Sequence, residues 1–442
     1  MSKYHLVCGL EVHAELKTAS KMFCGCKNDP FHAPQPNIYT CPVCLGMPGG
    51  LPVANKKAID WTLKLGLALN CKINLFSKFD RKHYFYPDLP KGYQISQYDI
   101  PFCYDGDIET SEGKVRIRRI HLEEDTGKLL HQTLDGEKVS LVDFNRSGVP
   151  LIEIVTEPDI KTASQAKEYG KKLRDLIRYL DIGDCDMEQG GMRLEANISL
   201  RSESTDELPN YKVEVKNINS FRFLEQAIAY ETERQSEILN QNQTPAQETR
   251  GFNPTIGQTF AQRTKEEAED YRYFPDPDIP PLHFTKVEIK EIENTLPELP
   301  HQVIERWRAE YQIDPRFAEP FTNYQVMVEW TELILKRATE KKIEANKLLS
   351  DIINKKIDAE IGRSIEDILT DFVRLHQTAE VDTTEIETII DQVKAEHPDE
   401  VTRYQNGEVQ LLNFFIGQTM RKLGKKVDMN LIRTALQKAL NS

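Results

Sequence analysis

The sequence predicts an α+β protein, in which an antiparallel-sheet domain with an inserted zinc knuckle precedes an all-helical C-terminal region. Apolar and polar residues alternate along segments such as 194–200 and 212–216, which is typical of strands in antiparallel sheets with one buried face. Two close cysteine pairs lie between residues 24 and 44. Beyond residue 290, apolar residues recur at three- and four-residue spacing, which indicates helices.

The chain is long enough for two or three domains, and the change of pattern places a boundary near residue 290. The segment 271–281 contains four prolines, so we expect an ordered arm there rather than a helix. Helices are expected over 302–311, 347–356 and 384–395. The predicted domains are the sheet domain over 1–290, a helical domain over 291–370 and a tail domain over 371–442.

Composition argues against a membrane-spanning protein and against a disulfide-bonded framework. A hydrophobic content of 39% and a charged content of 29% are ordinary for a soluble globular protein. No apolar run approaches the roughly 20 residues that span a bilayer, so we expect no membrane segment and a cytoplasmic location. Eight cysteines in 442 residues, four of them clustered, favour metal binding in a reducing compartment over a disulfide framework.

The clustered cysteines are the sharpest local signal. Their spacing matches a four-cysteine zinc knuckle, with the ligands Cys24, Cys26, Cys41 and Cys44. Four thiolates leave no open position on zinc, so a structural role is expected. The other cysteines are predicted to be small core residues, namely Cys8, Cys71, Cys103 and Cys185.

A candidate metal site begins on the strand predicted over 10–16. There Glu11, His13 and Glu15 share one face, with neighbours about 6.5 to 7 Å apart. That spacing suits one hydrated divalent cation, or two cations along a polyphosphate. A solvated outer face is the alternative.

Three further segments show the same alternation of charged and apolar residues. The polar positions are His121, Glu123 and Asp125; Arg193, Glu195 and Asn197; and Lys212, Glu214 and Lys216. If these faces meet, the acids would hold Mg²⁺ while lysine and arginine neutralise phosphate oxygens. The chain contains no P-loop motif, so any ATP site must be of another kind.

Two other segments leave their interpretation open. Between Lys78 and Gln94, cations including Lys82 alternate with aromatic residues, which suits either an adenosine or phosphate site or a polar loop over an aromatic minicore. Residues 411–442 carry six basic residues and one acidic residue, Asp428. The basic residues are Arg421, Lys422, Lys425, Lys426, Arg433 and Lys438. Their excess positive charge suits either contact with RNA or a solvated helix face.

Ordered motifs along the chain resemble the B subunits of the tRNA-dependent amidotransferases. They are Gly9–His13, Cys41–Gly49, Phe79–Lys82 through Tyr93–Gln97, Leu122–Asp125, Asn145–Val155, Glu214–Asn217, Gln247–Arg250 and Tyr271–Pro275. The run Asn413–Lys422 resembles the family's tail domain. Two departures stand out: Glu195 lies where the family has aspartate, and the region after about residue 350 is shorter.

The resemblance implies a catalytic cradle related in fold to glutamine synthetase, then a helical domain and a shortened tail domain that contacts tRNA. It implies ATP, Mg²⁺ and Zn²⁺ as cofactors. The catalytic candidates are Glu11, His13, Glu123, Glu124, Glu214 and Lys216. The candidates for binding ATP are Arg193, Glu195, Asn217, Lys78 and Lys82. The candidates for binding magnesium are Glu11, His13, Glu124, Glu214 and Glu248.

The activity implied by the resemblance is amidation of Glu-tRNA(Gln) or Asp-tRNA(Asn) through an acyl phosphate. The chain shows no amidase signature, so ammonia would come from the amidase, or A, subunit of a heterotrimer that also contains the small C subunit. Two rival interpretations make different predictions. A non-catalytic, zinc-containing tRNA-binding adaptor would not turn over ATP, and a metal-dependent hydrolase would need neither ATP nor tRNA.

Overall fold

The structure is a computed structural model that describes residues 3–203, 207–264, 270–376, 383–424, 427 and 429–441. The chain divides into two compact units. One comprises Met1–Glu310 with Ala318–Glu329, and the other comprises Tyr311–Phe317 with Trp330–Ser442. No helix of the described residues is long and apolar enough to cross a membrane.

Every strand that the structure describes lies in the first unit. They are β1 (Tyr4–Glu15), β2 (Lys72–Ile73), β3 (Phe76–Ser77), β4 (Asp80–His83), β5 (Tyr93–Ser96), β6 (Cys103–Thr110), β7 (Gly113–Glu124), β8 (Lys128–Leu134), β9 (Glu137–Asp143), β10 (Pro150–Thr156), β11 (Met192–Ser202), β12 (Val213–Ile218), β13 (Glu248–Asn253), β14 (Gln258–Thr264), β15 (Phe274–Pro275) and β16 (Leu282–His283).

Three of the described helices lie between strands, and the others follow the last strand. A short 3₁₀ turn covers Glu319–Phe321. The described helices are α1 (Lys56–Ala68), α2 (Ala163–Tyr179), α3 (Phe221–Asn240), α4 (Lys286–Asn294), α5 (Pro300–Tyr311), α6 (Pro315–Ala318), α7 (Gln325–Glu340), α8 (Ala345–Ile353), α9 (Ile365–His376), α10 (Thr383–Glu396), α11 (Pro398–Gln405), α12 (Leu411–Leu423) and α13 (Met429–Asn441).

Among the described residues, nine strands form the main sheet, in the order β14-β13-β12-β11-β1-β10-β7-β6-β2. In the described residues the neighbouring strands are antiparallel except for β12 and β13. The parallel pair requires a crossover connection, which α3 supplies. The predicted antiparallel sheet is therefore confirmed except at this pair.

The alternation in the strands sorts side chains between the two faces of the sheet. Along β1, Leu10, Val12 and Ala14 are almost fully buried and join the core with residues of α1, α2 and α3. Polar residues of β1 therefore point to the face opposite these helices. These three helices were not predicted within the strand-rich region of the sequence.

Helix α1 packs closely on β6 at Gly66. A Cβ atom at Gly66 would lie 2.3 Å from Cys103 Sγ, whereas one at Gly417 in α12 would have nothing within 4 Å. We expect Gly66→Ala to lower the free energy of unfolding by about 1 to 3 kcal/mol through overpacking. The control Gly417→Ala should raise it by roughly 0.5 to 1 kcal/mol through helix propensity. Urea denaturation of the whole chain tests both, and equal stability of Gly66→Ala and the unchanged protein would contradict this packing.

The helical C-terminal region agrees with the sequence prediction. The helices expected over 302–311, 347–356 and 384–395 correspond to α5, α8 and α10, although α8 already ends at Ile353. Helices α10, α12 and α13 share a core that includes Ile390, Phe415 and Leu436. Three residues of the predicted basic tail lie outside the described residues, namely Lys425, Lys426 and Asp428. In the described part of the tail, Lys422 Nζ forms an ion pair with Glu396 Oε1 at 2.5 Å.

The proline-containing segment 271–281 forms the ordered arm that was predicted. Phe274 and Pro275 pair with β4, and the amide of Asp276 donates to the carbonyl of Phe79 at 2.9 Å. Arg81 Nε donates to Asp276 Oδ2 at 2.8 Å, and the Arg81 guanidinium lies 4.3 Å from the ring centroid of Tyr93. These contacts favour the aromatic minicore as the interpretation of this part of the 78–94 segment.

Candidate functional site

A first acidic cluster consists of Glu11, Glu195 and Glu214, which lie on adjacent strands β1, β11 and β12. Glu11 is directly opposite Glu195 in the register of β1 and β11. One carboxylate oxygen from each residue lies within 4.8 Å of the others. Three carboxylates at this separation are suitable ligands for a hard divalent cation.

Neighbouring polar side chains hold the first acidic cluster in place. Asn197 Nδ2 donates to Glu11 Oε1 at 2.8 Å, and Thr249 Oγ1 donates to Glu214 Oε2 at 3.1 Å. Lys216 Nζ lies 3.1 Å from Glu195 Oε2 and 3.5 Å from Glu214 Oε1. Burial opposes the charge of Lys216, but the charges of Glu195 and Glu214 outweigh it and raise the pKa of the lysine. The three carboxylates therefore keep excess negative charge beside one lysine.

A second cluster consists of His13, Glu123 and Glu153, with ligand atoms also within 4.8 Å of one another. Register places His13 opposite Glu153, and Glu153 opposite His121, across β1, β10 and β7. His13 Nε2 lies 3.4 Å from Glu153 Oε2 and 3.9 Å from Glu123 Oε1. An imidazole with two carboxylates can also bind a divalent cation.

The charges of the second cluster are strongly coupled. Burial on its own would lower the pKa of His121, but Glu153 and Glu123 outweigh it and raise that pKa to about 9. Burial would raise the pKa of Glu153, but the charge of His121 and hydrogen bonds with His121 and His13 hold it well below its usual value. Both shifts favour the charged forms of His121 and Glu153, whose Nε2 and Oε2 atoms lie 3.3 Å apart.

Both clusters share one side of the sheet because β1 contributes to each. Glu11 and His13 are two positions apart on β1, so their Cα atoms are about 6.5 to 7 Å apart on the same face. The structure thus brings together most of the residues predicted for the site, namely Glu11, His13, Glu123, Glu195, Glu214 and Lys216.

Glu124 does not join either cluster. It neighbours Glu123 on β7 and therefore points to the opposite side of the strand. Its carboxylate accepts hydrogen bonds from the amide of Ile95 at 3.0 Å and from Lys91 Nζ at 2.6 Å. These contacts secure β5 against β7.

Glu248 is also separated from the clusters. In the parallel pair it lies beside Val213, whose side chain is in the core, whereas Glu214 points to the other face. The Glu248 carboxylate accepts from Arg250 NH1 at 2.7 Å and lies 3.7 Å from NH2 of Arg234 on α3. The sheet therefore stands between Glu248 and the first acidic cluster.

The predicted phosphate-binding cations have different surroundings. Arg193 NH2 donates to Asp125 Oδ2 at 2.6 Å, and Arg193 also lines a cavity of about 630 Å³. Lys78 pairs with Asp80 and lies 2.7 Å from Asp99. Lys82 Nζ lies 4.9 Å from the ring centroid of Tyr271. The side chain of Asn217 lies outside the described part of the structure.

Glu153 is the cluster residue that was not predicted from the sequence. It is the only charged residue in the seven-residue strand β10, whose other residues are apolar except for Thr156. A carboxylate within such a strand needs a buried partner, because an unpaired buried charge is costly. The isolated charge of Glu153 was therefore the sequence feature that could have identified it as a candidate site residue.

The four clustered cysteines form a separate candidate metal centre. Their Sγ atoms lie within 4.8 Å of one another, and the sulfurs of Cys41 and Cys44 are 3.8 Å apart. Tetrahedral zinc with Zn–S bonds of about 2.3 Å requires a sulfur separation of about 3.8 Å, so the geometry is consistent with zinc binding. A hydrogen bond from Cys24 and the charge of Lys21 outweigh burial and lower the pKa of Cys44 to about 5. The cysteines predicted for the core are buried, namely Cys8, Cys71, Cys103 and Cys185.

Comparison with known proteins gives matches along nearly the whole chain. The family described as the GatB/GatE catalytic domain matches residues 6–290, and the one described as the GatB domain matches residues 320–440. A protein of Thermodesulfovibrio yellowstonii is 42% identical over 480 residues, which cover 99% of each chain. Proteins of Thermoanaerobacter sp. (strain X514) and Persephonella marina are 42% identical over 481 residues, covering 99% of this chain and 100% of theirs. All three relatives are named as B subunits of aspartyl/glutamyl-tRNA(Asn/Gln) amidotransferase.

Proposed function

This chain belongs to the family of aspartyl/glutamyl-tRNA(Asn/Gln) amidotransferase B subunits, and we propose that it carries the ATP-dependent amidation site for Glu-tRNA(Gln) or Asp-tRNA(Asn). The observation that supports this assignment is the pair of clusters on one face of the main sheet whose side chains could hold a metal ion. An amidotransferase that forms a carbon–nitrogen bond at the expense of ATP is a ligase. The chemistry requires activation of a carboxylate that is otherwise a poor electrophile.

We assign one Mg²⁺ to the first acidic cluster and a second to the cluster of His13, Glu123 and Glu153. Bound Mg²⁺ would neutralise phosphate oxygens and the charge that develops during phosphoryl transfer. Lys216 is placed beside the first cluster, where its ammonium can contact a phosphate oxygen. Glu124 and Glu248 would support the site from behind the sheet, because their carboxylates already bind other side chains.

Space for a nucleoside lies next to the first acidic cluster. A cavity of about 400 Å³ is bordered by Glu11 and Asn197, and also by Gly9, Tyr211 and Lys212. If a nucleotide bound there, its purine would have apolar surface, amide groups and a cation within reach. Its phosphates would then approach the first acidic cluster. A cradle related to glutamine synthetase would also place such a site on one side of a sheet.

The proposed reaction has two balanced steps. The side-chain carboxylate of the aminoacyl group attacks the γ-phosphorus of ATP, which forms an acyl phosphate and releases ADP. Ammonia then attacks the acyl carbon and displaces phosphate, which takes up the proton that the nitrogen loses as the amide forms. Because the chain shows no amidase signature, the amidase, or A, subunit would supply ammonia in a complex that also contains the small C subunit.

The direct test supplies ammonium in place of the partner. The protein is incubated with Mg²⁺, ATP and tRNA carrying labelled glutamate or aspartate, and the released amino acid is identified. Labelled glutamine or asparagine, absent when ATP is omitted, is the expected result. If the folded protein binds the tRNA but forms no amide with or without the other subunits, the adaptor interpretation is correct.

The exposed basic residues of the tail provide a second test, of tRNA binding. Arg421 on α12 and Arg433 on α13 are both exposed. If they contact phosphates, replacing both by alanine should raise the KM for tRNA by roughly 10-fold and reduce the slope of binding against salt by about 2. The turnover at saturating tRNA should not change. A matched control is Arg374→Ala, at an exposed position on α9. Equal KM values for the unchanged protein, the double variant and this control would rule out the contact between the tail and tRNA.

A further inference from the structure

Lys21 is a fully buried cation beside the four-cysteine cluster. Its side chain has no exposed surface, and Nζ donates to the carbonyl of Tyr39 at 2.6 Å and to the carbonyl of Phe144 at 3.2 Å. The third acceptor is Cys44 Sγ at 3.9 Å. An ammonium has three donor hydrogens, so these three acceptors satisfy its hydrogen-bonding capacity.

A buried ammonium needs an anion, because burial of an unpaired charge is strongly unfavourable. No carboxylate among the described residues forms an ion pair with Lys21. The only candidate anion among its three acceptors is the sulfur of Cys44. Four thiolates around one Zn²⁺ carry two negative charges in excess, so a zinc-loaded cluster provides the anion that this site requires.

Lys21 also joins the knuckle to the turn that precedes β10. This turn contains Phe144, whose carbonyl accepts from Lys21, and Ser147, whose Oγ donates to the carbonyl of Cys44 at 3.0 Å. The amide of Met22 donates to the carbonyl of Gly148 at 2.7 Å. The ammonium is therefore enclosed between the cysteine cluster and the chain segment that leads into the strand of Glu153.

We propose that Lys21 is the counter-cation of the zinc–thiolate cluster, so that its ammonium stabilises the zinc-bound thiolates and zinc in turn keeps the ammonium buried. Lys21 is a positioning residue in this role, since it acts on the metal through the sulfur of Cys44. The proposal concerns the zinc centre and does not depend on the amidation chemistry.

Zinc affinity of the whole chain provides the first test. We expect Lys21→Met, which is unbranched, one atom shorter and uncharged, to raise the zinc dissociation constant about 10- to 100-fold, as is typical when an outer partner of a metal ligand is lost. A chromophoric chelator that competes for zinc measures this constant. The matched control is Lys27→Met, because Lys27 lies next to Cys26 but is exposed and pairs with Asp29. A folded Lys21→Met protein that binds zinc as tightly as the control would overturn the proposal.

Loss of the buried ammonium could also prevent folding, so a second test uses the unchanged protein. Lysine acetylation followed by mass spectrometry reports the reactivity of each ammonium before and after zinc is removed with a chelator. Lys21 should be unreactive with zinc and become reactive when zinc is removed, whereas Lys27 should react in both states. If Lys21 stays equally protected without zinc, the cluster is not the anion that holds it, and the proposal fails.

Discussion

Replacing Glu11 by glutamine is expected to lower the turnover of amide formation at least about 100-fold, while the affinity for tRNA is retained. The substitution preserves the shape of the side chain and its contact with Asn197, but it removes one of three negative charges from the first acidic cluster. Ammonium-dependent formation of labelled glutamine or asparagine measures turnover, and filter binding measures tRNA affinity.

The control for this substitution is Glu137→Gln at an exposed position of β9. It makes the same chemical change away from the cluster and should leave turnover unchanged. Circular dichroism would establish that both variants are folded. If a folded Glu11→Gln protein formed amide at the rate of the control, the assignment of magnesium to this cluster would be wrong.

The second large effect is expected for Glu153→Gln. Glu153 Oε2 lies 3.4 Å from His13 Nε2 and 3.3 Å from His121 Nε2, so its charge holds together the second cluster. Its loss should lower turnover at least about 100-fold and shift the Mg²⁺ dependence to higher concentration, because a carboxylate ligand is replaced by a neutral amide. Titration of activity with Mg²⁺ separates this effect from a loss of tRNA binding.

Glu157 is a matched comparison for Glu153 because it lies just beyond the end of β10. Its carboxylate makes a two-point contact with Arg118, and Glu157 belongs to neither cluster. We expect Glu157→Gln to leave both turnover and the Mg²⁺ dependence unchanged. A Glu153→Gln protein with the same Mg²⁺ dependence as Glu157→Gln would show that the second cluster does not bind the cation.

Much of the sheet could be predicted from sequence because period-two alternation is a local property. It identified the strands that carry Glu11, Glu123 and Glu195, and it placed Glu11 and His13 on one face. Cysteine spacing predicted the four-cysteine cluster for the same reason, since each pair is only a few residues long.

The features that the sequence did not predict depend on contacts between distant segments. Glu153 becomes a site residue only because β10 pairs with β1 and β7, and neither pairing is visible in the segment itself. The face occupied by Glu248 depends on the parallel pairing of β13 with β12. Resemblance to a family grouped Glu124 with the metal ligands, but alternation along β7 places Glu123 on the site face and Glu124 behind it.

The central position of β1 determines when the site can form during synthesis. β1 emerges from the ribosome before its neighbours β10 and β11, so it cannot form its sheet hydrogen bonds until those strands have been made. Closing such long loops slows folding, and an unpaired apolar strand favours aggregation in the meantime. A nascent chain that ends before β12 would lack Glu214 and could not assemble the first acidic cluster. Chaperone protection of the early N-terminal strand would therefore matter more for this protein than for one whose active site comes from consecutive strands.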